Sequence, residues 1–143
     1  MDWKNCLSQR EIKEVTIDYE LIKSLERTSA DKLHSATFLP ETDRTVGAKI
    51  SLVYDAVHEL IEAVALLKGY KIYNHVCYVA LLKEILNKSE AGDLFDEVRK
   101  IRNDINYYGK KISLDDGKYV LDLLTQLRSV FLVLLKENKK EMI

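Results

Sequence analysis

Apolar positions recur at helical spacing along most of this chain, with polar residues between them. The clearest stripe is Ile50, Val53, Tyr54, Val57, Leu60, Ile61, Val64 and Leu67, which predicts a helix that begins near Asp43 or Thr45 and stops at Gly69. Ahead of it, Leu21/Ile22, Leu25, Ser29, Leu33 and Ala36 mark a first long helix from about Asp18 to Thr37, ended by Pro40. Val76, Val79, Ala80 and Leu82 place a third helix from about Tyr73 to Leu86, with Asn74 as its candidate cap. A polar connection from Asn87 to Gly92, with Ser89 as candidate N-cap, leads to a fourth helix over about Asp93 to Tyr108. Ser113-Leu-Asp-Asp116 resembles a capping box and opens a last helix reaching about Glu137. Ser8-Gln-Arg-Glu11 has the same pattern and predicts the start of a short N-terminal turn or helix.

In the last helix Leu121, Leu124, Leu127, Phe131 and Leu135 form a wide stripe, and Val130, Leu132, Val133 and Leu134 make it apolar nearly all round. Such a helix needs two partners: its own domain on one face and, we expect, a second subunit on the other. The connections are short, so consecutive helices are expected to be antiparallel neighbours. The predicted fold is all-α: an up-and-down four-helix bundle with an additional N-terminal helix, one domain over residues 1–143. The basic Lys136-Glu-Asn-Lys-Lys-Glu141 stretch is expected to be a frayed, solvated terminus.

Composition narrows the function classes. With 47% hydrophobic and 31% charged residues, one proline and five glycines, the chain fits a folded helical domain and not a disordered or turn-rich β protein. Its net charge of −1 gives no overall pull towards nucleic acid or membrane, so any polyanion binding must come from a local patch. One such patch runs from Glu97 to Lys111, with five basic residues (Arg99, Lys100, Arg102, Lys110, Lys111) against two acidic ones (Glu97, Asp104). Cys6 and Cys77 do not make a disulfide framework or a metal cluster, and Cys77 is expected to be a buried thiol. The Met-Asp-Trp-Lys-Asn start lacks the apolar stretch of a signal peptide and no window has the length of a membrane span, so a cytoplasmic protein without membrane contact is expected.

The segment Arg99 to Gly109 carries the chemistry. Val98, Ile101, Ile105 and Tyr108 step as one buried stripe, while Arg99, Arg102, Asn103 and Asn106 share another face. Two guanidiniums and two carboxamides together suit phosphate oxygens and base edges, and Gly109 closes the helix. A solvated face is the plain alternative, but ordinary surface helices prefer Glu, Lys and Ala to carboxamides beside arginines. Asp104 is placed to pair with Lys100 or in the neighbourhood of Tyr108, or to hold Arg102. His75 is expected to cap or contact a neighbouring loop, and His58 and His34 to lie at the surface; their spacing offers no metal site. Glu59 and Glu62 resemble a carboxylate-lined di-iron helix only superficially, because no Glu-x-x-His pair accompanies them. No metal or cofactor is expected.

On these residues the chain resembles the HEPN-domain family, over nearly its whole length. The similarity is carried by Trp3-Lys-Asn-Cys6-Leu7, by Tyr54-Asp-Ala-Val-His-Glu-Leu-Ile-Glu62 with Leu66-Leu67-Lys68-Gly69-Tyr70 and His75, and above all by Arg99-x-x-Arg102-Asn103-x-x-x-Tyr107-Tyr108-Gly109. The resemblance implies a small helical homodimer. In nuclease members it implies metal-independent RNA cleavage, with an Arg and a His from both subunits meeting across the dimer axis. Arg102 matches that Arg, whereas Tyr107 stands where the His is expected. A phenol with a pKa of about 10 is a poor base at neutral pH, and losing general-base assistance costs roughly 10²–10⁴ in rate.

Two readings follow. In the first, Arg102 and Tyr107 are catalytic in a ribonuclease toxin, with Arg99, Asn103, Asp104, Asn106 and Lys110 binding RNA or a nucleotide. The resemblance then implies a minimal nucleotidyltransferase antitoxin as partner, with Tyr107 or Tyr108 as its modification site. In the second, the chain is a non-catalytic helical module that binds RNA, a nucleotide or such a nucleotidyltransferase partner.

Overall fold

The computed structural model describes residues 1–140. The order is α1 (Trp3–Ser8), β1 (Ile12–Glu14), α2 (Tyr19–Ala36), α3 (Val46–Leu67), β2 (Tyr70–Ile72), α4 (His75–Ala80) with a π-helical turn at Leu81–Ile85, α5 (Ser89–Tyr107) and α6 (Leu114–Lys140). The chain is mostly helical, as its periodicity predicts. No helix among the described residues is long and apolar enough to cross a membrane.

Local chemistry sets several boundaries. Asp18 caps α2 by accepting from Leu21 N–H at 3.0 Å, and Asn74 caps α4 by accepting from Val76 N–H at 2.9 Å. Ser113 Oγ accepts from Asp116 N–H at 3.2 Å at the start of α6. Gly69 leaves α3 at φ +87°, a left-handed geometry that favours glycine, and its carbonyl accepts from Val15 N–H.

Four expectations are corrected, and one strand pair is added. Ser8 ends α1 and does not start it; Asp2 is the cap, accepting from Asn5 N–H at 2.8 Å. Ser89 is the first residue of α5 and not its cap, and Lys88 before it makes no side-chain cap bond. The 136–141 stretch is not a frayed tail, because α6 continues to Lys140, Asn138 is buried and Lys139 pairs with Glu26 at 2.6 Å; Glu141 lies outside the described residues. Two three-residue strands, unseen in the sequence, pair antiparallel with Ile12 opposite Ile72 and Glu14 opposite Tyr70. Three residues are too few to display a two-residue alternation. Finally, Cys77 is not a free thiol: it forms a disulfide with Cys6, with both cysteines fully buried. A spacing of 71 residues gives no local sign of the pairing; packing α1 against α4 creates it.

The buried apolar residues form one cluster, with α3 between α2 and α6 and in contact with α5. Gly117 lets the start of α6 press onto the start of α3, since a Cβ there would lie 2.4 Å from Val46 Cγ2. Glu59, on the α2 side of α3, is buried but bonded to Lys32 and Thr28. The α6 face expected to need a second subunit is narrower than the sequence suggests. Leu134 and Leu135 are buried, Val130 is half-buried, and only Leu132 and Val133 of its apolar run are exposed.

Candidate functional site

The buried edge of α5 seats Phe95 and Val98 in the core, which turns Arg99, Arg102 and Asn103 towards α3. On α3 the residues Asp55, His58 and Glu62, spaced by three and four, face back at them. The segment from β2 into α4 supplies Tyr73, His75 and Tyr78, and Tyr54 completes a cleft of about 430 Å³.

Arg102 is the best-anchored group in the cleft. Its Nη2 donates to Asp55 Oδ1 at 3.2 Å, its guanidinium lies 5.1 Å from the Tyr54 ring centre and 5.8 Å from that of Tyr107, and its Nη1 reaches Tyr107 Oη at 3.5 Å. Arg99 donates to Asp96 at 3.1 Å. Burial raises the Asp96 pKa, but bonds from Lys100 and Arg99 outweigh it and hold the carboxyl below its ordinary value.

Aromatic rings back the cleft. His75 stacks on Phe95 with centres 4.5 Å apart, and its Nδ1 lies 3.1 Å from Tyr54 Oη. Burial, aided by the charge on Arg99, pushes the His75 pKa down to about 3, so the ring is neutral across the physiological range. Burial also lowers the pKa of His58 and raises those of Tyr54, Tyr78 and Glu62. A Tyr54 phenol donating to Nδ1 leaves the imidazole proton on Nε2. Among the described residues, the buried side-chain nitrogen and oxygen atoms that lack a partner are three: His75 Nε2, Arg99 Nε and Arg102 Nε. All three belong to this cleft, and buried polar groups are rarely left so.

Of the residues singled out in the sequence, the structure brings Arg99, Arg102 and Asn103 together, with Tyr107 beside Arg102 but 68% exposed. It does not bring in the other three. Asn106 accepts from Ser51 Oγ at 2.7 Å, and Asp104 pairs with Lys110 at 3.7 Å, just beyond the end of α5. Asp104 thus holds neither Arg102, which Asp55 holds, nor Lys100, which pairs with Asp96. His58 is corrected from a surface residue to a half-buried cleft residue, and His75 lines the cleft as well as opening α4. In the sequence Tyr54 falls in the core stripe, Glu62 is set aside as a di-iron ligand and Asp55 has no role, although Asp55, His58 and Glu62 recur at helical spacing on one face of α3, and that spacing is the available signal. Among the described residues, no group of three or more His, Cys, Asp or Glu side chains is placed to hold a metal ion.

No family model matches this chain, and no match is found among curated proteins or solved structures.

Proposed function

We propose that this chain is a HEPN-like protein whose α3–α5 cleft binds a phosphate-bearing ligand, nucleic acid or nucleotide. The observation that carries this reading is the meeting of Arg99, Arg102 and Asn103 on one cleft, with a buried, unpartnered Nε on each arginine. The order of the four long helices, α2, α3, α5 and α6, suits the up-and-down bundle of that family. In the homodimer that belongs to the reading, two copies bring Arg102 and the exposed Tyr107 to a shared groove.

In the ribonuclease form of the proposal, Arg102 stabilises charge on the phosphorane while a ribose 2′-OH loses its proton. Among the described residues no carboxylate or imidazole is bonded to the exposed Tyr107 hydroxyl to take its proton; its hydrogen-bond partner is Arg102. That favours a second reading, a non-catalytic module that binds RNA, a nucleotide or a minimal nucleotidyltransferase partner through the same cleft.

Metal-free cleavage of a mixed RNA pool by the unmodified protein, Arg102→Ala and Tyr107→His separates the two. Cleavage that Arg102→Ala abolishes supports the nuclease. Cleavage gained only in Tyr107→His supports a binding cleft without a base. If all three are silent and none of them retards the RNA, the nucleic-acid reading falls.

A further inference from the structure

The cleft is bipolar. Along α5 it carries the guanidiniums of Arg99 and Arg102, and His75 stands at the start of α4; the Nε atoms of both arginines and Nε2 of His75 are buried and unpartnered. Along α3 it presents acceptors. Asp55 is already bonded to Arg102, but Glu62 is half-buried and has no hydrogen bond or ion pair among the described residues. The formal charges of its lining cancel, with Arg99 and Arg102 against Asp55 and Glu62. A groove that tracks a polyanion concentrates positive charge along its length. A balanced cleft with its donors on one wall and a lone carboxylate on the other fits a single ligand that is itself bipolar.

We infer that the cleft takes one nucleoside monophosphate whose base presents N–H donors, with the phosphate on Arg99 and Arg102 and the donor edge of the base on Glu62. This rests on the nucleotide reading above and narrows it. Guanidinium N–H groups donate to phosphate oxygens, and a carboxylate with both oxygens free accepts two adjacent N–H groups side by side. Guanine carries such a pair; a base lacking the exocyclic amine offers only one. The exposed ring of Tyr73 at the cleft gives the base apolar surface. A volume of about 430 Å³ is of the size that holds a small ligand.

Calorimetric titration of the full chain with guanosine 5′-monophosphate, inosine 5′-monophosphate and guanosine tests the inference. The guanine nucleotide should bind about tenfold or more tightly than each of the others, the worth of one charge-assisted contact. Glu62→Gln should erase the guanine-over-hypoxanthine ratio and keep the nucleotide-over-nucleoside ratio. Arg99→Gln should do the reverse. Equal binding of the two nucleotides, or a ratio untouched by Glu62→Gln, overturns the assignment of the base edge. A single-stranded RNA hexamer that binds where no mononucleotide does overturns the inference and leaves the nucleic-acid reading standing; no binding by any probe overturns both. If a variant fails to fold, as thermal melting will report, the two ratios on the unmodified protein decide the question.

Discussion

The side chains of the cleft are poised by partners that are themselves charged, and this sets how each responds to change. Arg102 is shared between Asp55 and the ring faces of Tyr54 and Tyr107, so an anionic ligand must compete with Asp55 for the guanidinium. The pair is partly exposed and adds little stability, about 1 kcal/mol or less. Asp55→Asn is therefore expected to leave the melting temperature nearly unchanged and to tighten nucleotide or RNA binding; weaker binding in a titration of this variant would count against the cleft. His75 makes the acid response specific. Its folded pKa of about 3 lies below the ordinary 6.5, so between those values the unfolded chain holds a proton that the fold excludes. Stability is then unaffected above about pH 6.5 and declines as pH falls towards 3. His58, shifted the same way, adds to that decline, and Asp96, held ionised in the fold, adds a further loss on the acid side. Thermal melts from neutral to acid pH should show this slope, and His75→Gln should flatten it; an unchanged slope would place its origin elsewhere.

One contact between helices and one link between distant segments hold the walls of the cleft where they are. Gly117 meets Val46 so closely that any side chain at 117 must push α6 away from α3. Gly117→Ala is expected to destabilise the fold by roughly 1–3 kcal/mol despite alanine's better helix propensity; a stabilised variant in chemical denaturation would show that Val46 gives way. The Cys6–Cys77 disulfide joins α1 to α4 only two residues beyond His75. Closing a chain segment of this length contributes about 2–4 kcal/mol by restricting the unfolded chain. The Cys6→Ser, Cys77→Ser double variant should melt several degrees lower than the oxidised protein, and reductant should lower only the latter. Equal melting temperatures would mean that the packing of α1 holds this corner unaided.

Assembly is the largest feature left to the surface. Leu132 and Val133 are exposed side by side on α6, and Tyr107 and Tyr108 are exposed at the end of α5. Under the homodimer proposal one of these patches is covered by a second copy. Leu132→Asp with Val133→Asp is expected to convert a dimer to a monomer in light scattering if α6 is the interface. Unchanged mass in that variant, with dissociation in Tyr107→Ser, Tyr108→Ser, would move the interface to the motif helix, where it would join the two clefts.

The helices and their order were legible because burial imposes a periodicity that the chain displays locally: Ile50 through Leu67 can be read one turn at a time, and so can the caps at Asn74 and Ser113. The motif helix was legible for the same reason, since Arg99, Arg102 and Asn103 share a face within one helix. Folding alone decided what faces that motif. Asp55, His58, Glu62 and His75 come from other elements, Asp55 47 residues from the Arg102 it holds, and burial shifts the protonation of His58, Glu62 and His75. The same holds for the disulfide, for the strand pair and for the diversion of Asn106 and Asp104 to other partners. Spacing within a segment is written in its residues, whereas contact between segments depends on how two buried faces pack, which neither segment specifies alone.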